Sequence, residues 1–131
     1  MMTVSFHDWE EDENPLNGTV VRSSDELRKI LLGLQGREPF ACELEGENGA
    51  CLVLGIGEVG TAQYNREERG PYFLAVTNGN VITDTEVEFL AGGTPTPFDA
   101  RFCLPFDDII KIAVYFMETG ATCPSFSWEM I

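Results

Sequence analysis

Positive charge is what this chain has least of: 8 Lys+Arg stand against 22 Asp+Glu, a formal net charge of −14. A field of that sign repels phosphate, which excludes direct nucleic-acid binding and disfavours an anionic membrane surface. Histidine is nearly missing too, since His7 is the only one. With no GxSxG elbow, nucleophilic catalysis would have to recruit His7 for a Cys–His pair. No apolar run approaches the roughly 18 residues of a membrane-spanning helix; the longest, 109–117, is interrupted by Lys111. The opening MMTVSFHDWEEDENP has neither the basic nor the apolar region of a secretory signal, so the expected compartment is the cytoplasm. Cys42, Cys51, Cys103 and Cys123 contain no CxxC pair. Reduced, mostly buried thiols are expected, with a Cys42–Cys51 bridge across a hairpin as the alternative.

What is present is enough for one core. The 131 residues are 44% hydrophobic and 11% aromatic, and a chain of this length buries roughly two-thirds of its extended surface. Residues 8–13 hold five acids in six positions before Asn14-Pro15 breaks the run. Residues 1–15 are therefore read as an acidic N-terminal arm and residues 16–131 as a single domain. Thr19 to Arg22 is a short β-type stretch. Ser23 and Glu26 form a capping box, Leu27, Ile30, Leu31 and Leu34 recur at helical spacing, and Gly36 is the expected stop.

From Phe40 the period becomes two: Phe40, Cys42 and Leu44 alternate with Ala41, Glu43 and Glu45. Asn48-Gly49 signals a hairpin, and Leu52, Leu54 and Ile56 continue on the returning strand. Further strands are expected at Tyr72–Val76, at Thr85, Val87 and Phe89 (alternating with Asp84, Glu86 and Glu88), at 100–104, and at Phe126, Trp128 and Met130. Residues 65–70 and 91–97 read as loops. Phe106, Ile109, Ile110, Ala113, Phe116 and Met117 mark a second helix, entered through Pro105, closed by Gly120 and apolar on more than one side. The order predicts an α+β fold: a largely antiparallel sheet of about six strands packed by two main helices.

Gly55-Ile56-Gly57-Glu58-Val59-Gly60 matches GxGxxG, but no amphipathic helix follows to hold a pyrophosphate, so a bend between two strands is the better reading. His7, Asp8, Glu10 and Asp12 lack any recognised cation-loop spacing and read as a solvated surface. Asp107-Asp108 suits a helix N-terminus. No metal, no cofactor and no enzymatic activity is expected. The acids that remain are grouped: Asp8, Glu10, Glu11, Asp12 and Glu13; Glu43, Glu45 and Glu47; Asp84, Glu86 and Glu88. Such faces serve solubility and edge protection, or they serve as a decoy for a basic, nucleic-acid-handling partner. On the second reading Glu43, Glu45, Asp84, Glu86 and Glu88 are the leading contacts, and loss of residues 1–13 matters less.

The C-terminal third adds a resemblance. The helix end Phe116-Met117-Glu118-Thr119-Gly120, then Pro124 and the strand Ser125-Phe126-Ser127-Trp128-Glu129, resemble the closing pattern of immunity protein family one of bacterial polymorphic toxin systems. The strand Leu52 to Gly57, Gly70-Pro71-Tyr72, and both helices fall in the same order as in that family, so the resemblance spans roughly residues 20–130. It implies a cytoplasmic α+β protein that binds and neutralises a cognate toxin domain, often a nucleic-acid deaminase and sometimes a nuclease. Gly70, Pro71, Tyr72, Gly120, Pro124 and Trp128 carry the pattern and are expected in turns and core packing. The alternative function is an acidic secretion chaperone or adaptor that holds a client without inhibiting it.

Overall fold

The computed structural model describes residues 2–77, 81–83 and 85–131. Strands β1 (Val4–Asp8) and β2 (Val20–Val21) precede helix α1 (Ser24–Leu34). Four strands follow: β3 (Phe40–Gly46), β4 (Cys51–Ile56), β5 (Val59–Asn65) and β6 (Tyr72–Val76). Then come β7 (Val87–Ala91), β8 (Thr94–Phe98), a short 3-10 turn (Ala100–Phe102), β9 (Leu104–Pro105), α2 (Phe106–Thr119) and β10 (Ser127–Met130). The main sheet runs β10-β6-β5-β4-β3-β1-β2, every neighbouring pair antiparallel. The β7–β8 hairpin joins it through one parallel bridge, Phe40 to Leu90. The fold is α+β, a large antiparallel sheet with two helices, and its strands among the described residues number ten rather than about six.

Local chemistry accounts for the helices. The Ser23 hydroxyl accepts from the Glu26 N–H at 3.2 Å and starts α1. Gly36 is not its stop in the expected sense, because no left-handed residue is used there; Gln35 ends the helix and its amide donates to the Gly57 carbonyl at 3.3 Å. Gly120 does take the left-handed conformation, φ +74°, and its N–H donates to the Phe116 carbonyl at 2.7 Å, closing α2. α2 buries Phe106, Ile109, Ile112, Ala113, Val114, Phe116 and Met117, more than one stripe, because it packs against both α1 and the sheet.

Register assembles the sheet's half of the core. Phe6, Leu44, Leu52, Tyr64 and Phe73 stand opposite one another across five strands, and Asp8, Cys42, Leu54 and Ala62 form the next row. Tyr64 meets Phe116 edge to face at 6.1 Å, and its hydroxyl donates to the Gly120 carbonyl at 3.0 Å, so this face is the one beneath the helices. The Cys42–Cys51 bridge is ruled out by the same register: Cys42 belongs to the helix-side row, Cys51 pairs with Glu45 on the other face, and all four cysteines are free.

Besides β5, whose residues 59–65 were not read as a strand, three segments depart from the sequence reading. Residues 1–15 contain β1, seated between β2 and β3 with Val4, Phe6 and Asp8 buried; its alternation is only five residues long and adjoins a run of acids. Residues 91–97 fold largely as β8, whose Pro95 and Pro97 are tolerated because β8 has a neighbour only on the β7 side. Residues 100–104 form the 3-10 turn and the edge of β9 instead of a full strand. The GxGxxG segment is the expected bend, joining β4 to β5.

Candidate functional site

Because β3 sends Phe40, Cys42 and Leu44 toward the helices, Ala41, Glu43 and Glu45 emerge on the opposite face. There the register lays down three rows. Ser5, Glu45, Cys51, Asn65 and Tyr72 make the first, His7, Glu43, Val53, Gln63 and Leu74 the second, and Ala41, Gly55 and Thr61 the third. The β7–β8 hairpin folds over the third row. Phe89 is wholly buried there and meets Phe98 edge to face at 5.8 Å. Gly55 makes this possible, since a Cβ on it would lie 2.9 Å from the Phe89 ring and 2.5 Å from the Thr61 hydroxyl.

The segment after β1 braces the hairpin. The Trp9 N–H donates to the Ala41 carbonyl at 3.0 Å, and the Gly92 N–H donates to the Trp9 carbonyl at 2.9 Å. The Gly93 N–H donates to Glu10 Oε1 at 2.6 Å. Trp9 keeps 38% of its surface exposed, and it lines two adjoining hollows. One is an acidic concavity of about 540 Å³ lined by Glu43, Glu45, Glu68, Cys51 and Tyr72. The other is a recess of about 110 Å³ with an almost entirely apolar wall, formed by Phe89, Phe98, Ala41 and Ala91. Trp9, Val53 and Gln63 line both, so the two adjoin along one face of the sheet as a groove in two parts.

Its electrostatics are one-sided. None of the ion pairs among the described residues involves Glu43, Glu45 or Glu68. Burial, and then the neighbouring Glu45, raises the Glu43 carboxyl above its ordinary value, with His7 opposing. Burial, followed by the fields of Glu43, Glu45 and Glu68, pushes the Cys51 thiol up to about 11. Such a site attracts cations and disfavours a thiolate.

The expected contact residues separate. Glu43 and Glu45 come together in the groove. Glu88 is exposed on β7 and alternates with the inward Phe89, so it points away from the groove. Glu86 precedes that strand and is exposed, and Asp84 lies outside the described residues. Asp8 is not a surface acid: its side chain is fully buried, with Arg37 at 2.7 Å, Asn14 Nδ2 at 2.9 Å and the N–H groups of Glu10 and Glu11 at 2.8 and 2.9 Å. Glu10 braces the hairpin, Glu11 lies 3.5 Å from Arg37, and Asp12 and Glu13 are exposed in the loop. Removing residues 1–13 would therefore delete a strand with a neighbour on each side, so it is no trimming of a free arm. Among the described residues no group of three His, Cys, Asp or Glu side chains is placed to hold a metal ion.

Trp9, Cys51, Val53, Gln63, Glu68 and Tyr72 were not expected here. The alternation of Cys51, Val53 and Gly55 against Leu52, Leu54 and Ile56 was the available signal, but the partner strand β5 is too polar to announce itself. Among the residues that carry the family pattern, Gly70 and Gly120 adopt positive φ and the Trp128 indole donates to the Cys123 carbonyl at 3.0 Å, while Tyr72 lines the groove. Among the described residues no helix is long and apolar enough to cross a membrane. No protein-family model and no curated protein matches the chain, so the resemblance to the immunity family stands on the residues quoted for it.

Proposed function

We propose that the chain is a cytoplasmic immunity protein that binds a basic, nucleic-acid-acting toxin domain, a deaminase or a nuclease, and occludes its active site. The observation that carries this reading is the open sheet face, where Glu43, Glu45 and Glu68, in no ion pair among the described residues, stand beside Trp9, Val53 and Tyr72. Enzymes that act on nucleic acid present cations and exposed aromatic rings to their substrate. A surface of opposite charge meets them quickly and specifically, and an apolar centre then retains them. Glu43 and Glu45 sit on sheet strands, which hold carboxylates in place better than a loop does. The order of motifs shared with the immunity family and the net charge of −14 point the same way.

Co-expression with the toxin encoded beside this chain is the test. Rescue of growth and a complex that survives size exclusion are expected. A complex without rescue would favour the chaperone alternative, and the absence of both would overturn the proposal.

A further inference from the structure

Resting on the toxin-binding reading, we infer that the groove accepts one extended segment of the partner in which an aliphatic side chain and an arginine or lysine alternate, two residues apart. The two hollows differ in what they tolerate. The recess at the Phe89 and Phe98 end is small and walled by apolar atoms, so a cation placed there would lose its water without gaining a counter-ion. The larger hollow holds three carboxylates that form no ion pair among the described residues, and a cation there gains charge-assisted contacts.

Spacing selects the segment. Ala41, Glu43 and Glu45 follow one another on the same face of β3, at intervals of about 7 Å. Alternate side chains of an extended segment lying along β3 repeat at that same interval. An aliphatic side chain that enters the recess beside Phe89, where the hairpin already covers Ala41 and Gly55, thus leaves the residue two positions on over Glu43, and Trp9 lines both hollows. A second copy of this chain is a poor occupant, because two bodies of charge −14 repel each other.

Three capped tripeptides test the inference on the full chain: leucine-serine-arginine, alanine-serine-arginine and leucine-serine-citrulline, the last an uncharged near-isostere. Binding is read by NMR at the Trp9 indole, with the Trp128 indole as internal reference because it is held by the Cys123 carbonyl. The first peptide is expected to shift Trp9 together with the backbone amides of Glu43, Cys51 and Val53. The alanine peptide should bind about tenfold more weakly and the citrulline peptide about fivefold more weakly. The double variant Glu43→Gln/Glu45→Gln, checked by its melting temperature, should lose the preference for arginine over citrulline.

Equal binding of all three peptides, shifts outside the groove, or spermidine binding as well as the first peptide would each overturn the inference. The toxin assay separates the two levels. If parent and double variant protect equally, the groove inference fails while the immunity reading stands; if peptides bind as expected but no toxin is neutralised, the immunity reading fails alone.

Discussion

Asp8 ends β1 among donors from three directions: the Arg37 guanidinium, the Asn14 amide and the backbone N–H groups of the next loop. Burial by itself raises its carboxyl, but these hydrogen bonds outweigh that and hold it below the ordinary 3.8. A depressed folded-state pKa contributes stability above the unfolded value, and that contribution is lost as pH falls through the folded one. Asp8→Asn should therefore cost about 3 kcal/mol at neutral pH in urea unfolding, and the variant should lose less further stability than the parent between pH 4 and 2. The sequence could not distinguish Asp8 from Glu11 or Asp12, since its burial depends on Arg37, twenty-nine residues away. Cys51 shows the opposite effect. With burial first and Glu43 second lifting its thiol to about 11, alkylation by iodoacetamide at pH 8 should be slow despite partial exposure. Glu43→Gln/Glu45→Gln should speed it several-fold by lowering that pKa, as mass spectrometry of the labelled peptide would show.

At the scale of elements, two glycines of the β4–β5 bend face opposite layers. A Cβ on Gly60 would lie 2.6 Å from the Gly55 carbonyl and 2.7 Å from Ile109 Cγ1, where α2 rests on the sheet; a Cβ on Gly55 would strike Phe89 under the hairpin. Gly60→Ala should cost about 2 kcal/mol in denaturant unfolding through overpacking. Gly55→Ala should instead displace the hairpin and alter Trp9 fluorescence. The elements legible beforehand are those whose signals lie within about ten residues: the Ser23 cap, the α2 stripe, the Gly120 stop and the Asn48-Gly49 turn, where Gly49 takes φ +87°. β1, β5 and β8 escaped because each is a strand by virtue of its neighbour. β8 even carries two prolines, and β5 alternates small or aromatic residues with Thr61, Gln63 and Asn65. Only the carboxylates of β3 were legible in the candidate site, for the same reason: Glu43 and Glu45 show their period within β3, whereas only pairing brings Trp9, Glu68 and Tyr72 beside them.

For the whole molecule the charge of −14 acts on stability and on encounter in opposite senses. Self-repulsion weakens as salt shortens the screening length to about 8 Å near physiological strength, so the melting temperature should rise between 20 and 300 mM NaCl. On the proposed immunity reading, the association rate with the toxin should fall steeply over that range, while dissociation changes little. Neutralising Glu86 and Glu88 should slow association only modestly, because Glu88 points away from the groove and Glu86 lines neither hollow. Neutralising Glu43 and Glu45 should slow association and also hasten dissociation, as stopped-flow measurements would separate. Equal effects from the two pairs would count against a groove-centred interface.

The alternation along β3, β4 and β5 divides labour between two sides of one sheet. Phe40, Leu44, Leu52, Leu54 and Tyr64 belong to the core beneath the helices, whereas Glu43, Glu45, Val53 and Gln63 line the opposite face. A substitution at Glu43 or Gln63 should therefore change the chemistry of the exposed face at little expense to folding, and a neighbouring position on the same strand should do the reverse. If the chain is the immunity protein proposed above, selection has a surface it can rewrite one residue at a time, so a lineage can follow a changing adversary without first acquiring spare stability. A saturation library sorted for folded protein should tolerate most polar replacements at 43, 45 and 63 and reject nearly all at 44, 52 and 54; intolerance at both sets would show that the two faces are not independent.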